Sequence, residues 1–179
     1  MVGQVRAVLA TVMLAATSVF AGLPSTATAV TKPPTAAQIR RAVRSAERSR
    51  ALWATVNVCD TKQFPHTLGV RGQMPALGFG SSLSIKIRIV FFDKTQKRFL
   101  PVPNATMKVP LGRVASGLQQ GGATFTFQPH TGLLSANVEF TWTRAGKVLA
   151  QTTRHTTGGH KSADFGSPRH FSAPQCTIK

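Results

Sequence analysis

Leu83, Ile85, Ile87, Ile89 and Phe91 occupy every second position of one segment, with Ser84, Lys86, Arg88 and Val90 between them. Side chains of an extended chain alternate between two faces, so this spacing predicts a strand with one dry face and one wet face. The same period recurs in Leu134, Ala136, Val138, Phe140 and Trp142, set against Ser135, Asn137, Glu139, Thr141 and Thr143. Shorter alternations set Leu52, Ala54, Val56 and Val58 against Trp53, Thr55, Asn57 and Cys59, and Leu68, Val70 and Met74 against Gly69 and Arg71. Weaker strands are expected near 99–102, 106–109, 123–127, 148–155 and 173–178. Turn-forming residues separate them: Asp93-Lys94, Pro103-Asn104, the stretch 117–122 with its Gly121-Gly122 pair, and a hairpin at Ala145-Gly146-Lys147.

Before Leu52 the period is different. Thr35 and Gln38 have the spacing of a capping box, in which hydroxyl and amide satisfy opposite ends of a first helical turn. Ile39 and Val43 stand four apart, with Ala36, Ala42 and Ala46 nearby, so a short helix is expected to about Arg50 after a leader at 30–35. Its apolar stripe is thin. The other faces carry Arg40, Arg41, Arg44, Arg48 and Arg50 against one acid, Glu47. Such a helix is expected to gain little from docking, and removal of residues 30–50 to leave the strands folded.

Seven to nine short strands in residues 51–179 after one helix define an all-β chain. The expected architecture is an immunoglobulin-like two-sheet sandwich with a short N-terminal helix. A closed barrel is the competing arrangement.

Residues 1–29 stand apart. Arg6 makes a small basic start, residues 7–23 carry no charge, Pro24 breaks the run, and Ala27-Thr28-Ala29 has the small-x-small form of a cleavage site at Ala27 and Ala29. That order is the layout of a secretory signal peptide. An uncleaved membrane anchor is the other reading, but a spanning helix needs about 20 mainly apolar residues and this run is shorter and holds Thr11, Thr17 and Ser18. The mature product is expected outside the cytoplasm, secreted or retained on the envelope, with no stable membrane insertion after cleavage.

The 150 residues that remain fit one domain. Loss of Arg6 lowers Lys plus Arg from 22 to 21 against five acids, leaving a net charge of +16. A balance of that kind bears on solubility and anionic partners rather than on fold. Two cysteines, Cys59 and Cys176, in an exported chain favour a disulfide, and one closing a loop of about 118 residues is worth on the order of 4–5 kcal/mol.

The run from Leu52 to Thr61 (LWATVNVCDT), Gly69-Val70-Arg71-Gly72-Gln73-Met74-Pro75, Thr156-Thr157-Gly158-Gly159-His160 and Ser172-Ala173-Pro174-Gln175-Cys176 occur together in this chain. In these strings it resembles a family of exported actinobacterial proteins of unknown function, over most of residues 40–179. The resemblance implies export and a disulfide-bonded β domain. It brings no activity, cofactor or catalytic residue.

Near-neutral titration is confined to five histidines. His155, His160, Asp164 and His170 form a loose group, but their spacing matches no closed metal site, and solvated loop positions are the plainer reading. His66 and His130, each beside a proline, read as surface turns. Five acids scattered over 150 residues give no obvious carboxylate pair, and no nucleophile elbow, zinc-protease helix or phosphate-cradling loop occurs. No catalysis and no cofactor are therefore expected. Arginine forks suit phosphate and carboxylate, so Arg40, Arg41, Arg44 and Arg48 on the helix, with Arg71, Lys86 and Arg88 on strands, are the candidate polyanion contacts. Anionic cell-envelope polymers are the expected partners. Sequence-specific nucleic-acid recognition is not expected, because no reading helix, finger or aromatic platform is present. The alternative is a protein- or carbohydrate-binding domain that uses loops 75–82, with Leu77 and Phe79, and 158–171, the charge being incidental.

Overall fold

The computed structural model describes residues 32–128 and 131–179. The cleavage residues Ala27 and Ala29, the rest of the leader to 31, and His130 lie outside the described residues. Pro33–Lys179 forms one compact unit.

Two antiparallel sheets face each other. The smaller holds β1 (Trp53–Cys59), β2 (Thr67–Pro75) and β5 (Leu118–Thr126) in the order β1-β2-β5. The larger holds β3 (Ser81–Asp93), β4 (Arg98–Val114), β6 (Gly132–Arg144) and β7 (Lys147–His155) in the order β4-β3-β6-β7. A short β8 (Cys176–Ile178) pairs with the start of β6, beyond the stretch that β7 occupies. The chain changes sheet between β2 and β3, β4 and β5, and β5 and β6, which is the immunoglobulin-like arrangement. Because two sheets with separate edges are present, the barrel alternative falls.

The predicted dry faces meet in the core. Ile85, Ile87 and Ile89 from β3 and Val138, Phe140 and Trp142 from β6 are fully buried, with Leu68, Val70 and Met74 opposite them on β2. Trp142 donates its indole N–H to the Pro75 carbonyl at 2.8 Å, so its polar tip is satisfied inside the sandwich. The β6–β7 hairpin turns through Ala145 and Gly146, both at positive φ, the geometry that matches strand twist in two-residue loops.

Two expected turns are instead parts of strands. Pro103-Asn104 lies inside the 17-residue β4, where the register against β3 jumps between Arg88 and Val90 and Asn104 takes a φ of 60°. A bulge absorbs the proline at a strand with one free edge, where a missing N–H costs no ladder bond. Gly121-Gly122 is central to β5. A side chain on Gly121 would strike Leu111 of β4, and one on Gly122 would strike the Val70 carbonyl of β2. These glycines permit close approach rather than a turn.

The helix α1 (Ala36–Glu47) begins with the expected capping box: the Thr35 hydroxyl accepts from Gln38 N–H at 3.3 Å, and the Gln38 amide oxygen accepts from Thr35 N–H at 2.7 Å. Its docking is firmer than its stripe suggested. Ala46 is buried at 4% exposure, Ala42 and Val43 pack on the core, and the helix lies against β7. Arg154 of β7 donates to the Glu47 carbonyl at 2.6 Å. Small alanines, unimpressive in a hydrophobicity pattern, let the helix axis come close.

Cys59 and Cys176 are bonded, with Cα atoms 5.4 Å apart. The bond joins the end of β1 to the start of β8, and so ties the smaller sheet to the larger.

Candidate functional site

Strand register builds the first candidate surface, on the outer face of the larger sheet. Lys108, Lys86, Glu139 and Thr153 stand opposite one another across β4, β3, β6 and β7. The next row holds Thr106, Arg88, Asn137 and His155. Opposed side chains lie about 5 Å apart on one face, so Lys108, Lys86 and Arg88 form a cationic cluster with Glu139 as the one acid in these rows. A shallow cleft of about 560 Å³ runs over this face, bordered by Lys86, Thr106, Lys108, Glu139 and Gln151. Lys86 and Arg88 were expected here. Lys108 was missed, although Thr106 and Lys108 alternate with Met107 and Val109 in the same way.

Arg40, Arg41, Arg44 and Arg48 are all exposed on α1. The helix touches β7 through Arg154, which stands opposite the buried Val138. It therefore lies on the core-facing side of the larger sheet, and its arginines do not join the Lys86–Arg88–Lys108 face.

Arg71 differs from expectation. Its strand face was expected to be wet, yet residues 156–175 cross it as a strap. Thr157 N–H donates to the Ala54 carbonyl at 2.8 Å, Ser167 N–H to the Asn57 carbonyl at 2.8 Å, and Val56 and Ala173 exchange two bonds of 2.9 and 3.0 Å, so the strap pairs with the free edge of β1. It then reaches across the sheet. The Gln120 amide of β5 donates to the Ser162 carbonyl at 3.0 Å and accepts from Asp164 N–H at 3.1 Å. Trp53, Thr55 and Asn57, read as wet, are buried beneath it at 6%, 0% and 3% exposure.

Under this strap the Asn57 amide donates to the carbonyls of Asp164 at 2.8 Å and Phe165 at 3.2 Å. That hold presents Phe165 outward at 82% exposure, with a φ of 55° that bulky residues rarely adopt. The Arg71 guanidinium lies 4.9 Å from the Phe165 ring centroid. Arg71 is half-buried, and its Nε is buried without a hydrogen-bond partner, a state that costs about 1–3 kcal/mol. Burial lowers its pKa, and the nearby Asp164 carboxylate opposes that shift. Arg71, Phe165, Asn57, Gly122 and Thr124 line a cleft of about 230 Å³. A second cleft of about 330 Å³, with Lys161, Asp164, Arg169 and His170, shares Phe165 as its wall.

The four-residue group does not converge. His160 stacks on Trp53, with centroids 4.6 Å apart, and its Nε2 is 2.8 Å from the Thr157 hydroxyl. His170 Nδ1 is 2.9 Å from the Lys161 carbonyl, and His155 is exposed beside Asn137 on the other sheet. Among the described residues no three His, Cys, Asp or Glu side chains are grouped to hold a metal ion. The acids Asp60 and Asp93 are engaged with backbone N–H groups: Asp60 accepts from His66 N–H at 2.7 Å and from the distant Lys179 N–H at 2.8 Å, and Asp93 from Gln96 N–H at 2.7 Å. Those backbone donors hold the Asp60 carboxyl below its ordinary range. In loop 75–82 Leu77 is buried at 6% exposure, and Phe79 is partly buried, packed against the core with the Arg144 guanidinium over its ring. An apolar cleft of about 570 Å³ lies at one end of the sandwich, lined by Phe91, Phe92, Val102, Phe127 and Leu134 with Lys94.

No family model and no curated protein matches the chain. Among solved structures, a protein from Bacteroides fragilis described as a β-galactosidase is similar at 12% identity and a TM-score of 0.32. The likeness covers 60% of this chain and 16% of that one, and is too slight to bring an activity with it. Among the described residues no helix is long and apolar enough to cross a membrane.

Proposed function

We propose that this is an exported, non-catalytic binding module for anionic polymers of the cell envelope or its surroundings. The observation that carries the reading is the register of Lys108, Lys86 and Arg88 on one rigid sheet face, against a single acid, in a chain of net charge +17. Cations fixed on strands keep their spacing, so a polymer with repeated charges meets several at once. Each exposed charge is screened over about 8 Å at physiological salt, so affinity must come from many contacts together and fall steeply with salt. The helix arginines add a second, separate cationic surface.

The layout of residues 1–29 and the resemblance to exported proteins support secretion, and the Cys59–Cys176 bond fits an oxidising compartment. Retention on the envelope would then be electrostatic. The test is a column of immobilised polyphosphate or teichoic acid, loaded at low salt with oxidised protein lacking residues 1–29. Retention well beyond a neutral sandwich domain, lost as salt rises, is the expected result. Elution together with the neutral control would end the proposal.

A second reading, recognition through loops, is favoured by one observation. Phe165 is 82% exposed on a strap held by hydrogen bonds from the buried Asn57 amide.

A further inference from the structure

The geometry points to a discrete recognition site for a carboxylated sugar unit, built from Arg71, Phe165 and the cleft they share on the strap side of the smaller sheet. It rests on the reading that the protein binds anionic polymers, and adds what one repeating unit of such a polymer would look like.

Phe165 is the most exposed of the large hydrophobic side chains described, while its backbone is fixed from below by Asn57, itself 3% exposed. An exposed aromatic ring on a fixed backbone offers a flat apolar face, and the axial C–H face of a pyranose matches it. Simple phosphate has no such face. The guanidinium of Arg71 lies against the same ring, and its planar fork suits a carboxylate in two-point contact. Lys161 and Arg169 stand around the adjoining cleft with Asp164 as the one acid among its lining residues, which leaves the site cationic. Gly122 and Thr124 of β5 line the Arg71 cleft beside Phe165. Sugar-ring stacking and carboxylate pairing are thus available within one residue's reach of each other.

The test uses oxidised protein lacking residues 1–29 and three probes: a short oligogalacturonate, a neutral galactose oligomer of equal length, and inorganic phosphate. Oligogalacturonate should bind, and the neutral oligomer should not. Phe165→Ala, at a ring outside the core, should weaken binding about fivefold without moving the melting temperature. Arg71→Lys keeps the charge but loses the fork, and should weaken it about tenfold. Substituting Lys86, Arg88 and Lys108 should leave oligogalacturonate binding in place while reducing retention on polyphosphate. Equal binding of the neutral oligomer, phosphate binding that depends on Arg71 but not on Phe165, or unchanged affinity in Phe165→Ala would each overturn the site. Loss of the site with polyphosphate retention intact would leave the wider polyanion reading standing. Loss of retention alone would do the reverse.

Discussion

Gly121 and Gly122 of β5 each stand where a side chain would strike another strand, β4 for the first and β2 for the second. A methyl on Gly122 would meet the backbone oxygen of Val70, which cannot swing aside, whereas one on Gly121 would meet the end of the Leu111 side chain. Gly122→Ala is therefore expected to destabilise more than Gly121→Ala, by about 1–3 kcal/mol in urea unfolding. His160 offers a pH readout at the same scale. Burial against Trp53 lowers its pKa below the ordinary 6.5, so folding favours the neutral ring. As pH falls below about 6.5 the unfolded chain takes up that proton first, and stability declines until the folded ring titrates as well. His160→Phe keeps a stacking partner and removes the titration, so it should flatten part of that decline in melts followed by tryptophan fluorescence. At this scale the sequence was legible where a side chain's period decided its face, as for Ile85, Ile87 and Phe140. It was misleading where a distant segment decided it. Trp53, Thr55, Asn57 and Arg71 alternate as wet positions, and only a strap more than 80 residues later makes them buried or half-buried. Nothing local to β1 or β2 carries that information.

β3 and β6 were legible at element scale because their alternation runs over eight or more residues. β4 was read as two pieces because Pro103 and Asn104 are strong turn formers, and a bulge on a strand with one free edge accommodates both. The helix was found by its capping box, but its docking was underestimated. Alanine contributes little to an amphipathic pattern and much to close packing. Val43→Asp or Ala46→Asp should thus lower the melting temperature, as should removal of residues 33–50, since Ala46, Val43 and the Arg154 contact are lost with them. A truncation that melts as the longer protein does would show that the helix is not part of the core. The disulfide acts between elements. With its ends 117 positions apart in sequence, the bond restricts the unfolded chain by about 4–5 kcal/mol. Reduction, or Cys59→Ser with Cys176→Ser, should shift the urea midpoint down markedly. The two sheets that the bond ties together also hold the two candidate surfaces, so reduction is expected to cost binding only through stability.

The whole molecule presents its charge on separate surfaces rather than on one. The helix arginines lie on the core-facing side of the larger sheet, Lys86, Arg88 and Lys108 lie on its outer face, and Arg71 is part of the strap site on the smaller sheet. A sequence gives the total charge directly, but its division among faces depends on sheet order and on where the helix docks. For a long polymer this division is an asset, since several surfaces can be engaged by one chain. The rigid sheet face should dominate, because its cations are held in register. The most direct measurement is the salt dependence of retention on immobilised polyphosphate, for the oxidised protein lacking residues 1–29 and for its Lys86→Gln, Arg88→Gln, Lys108→Gln variant. Counterion release predicts that removing three contacts reduces the slope of log affinity against log salt by about 2–3, with elution at distinctly lower salt and an unchanged melting temperature. A variant that keeps the full slope and elutes with its parent would contradict the account.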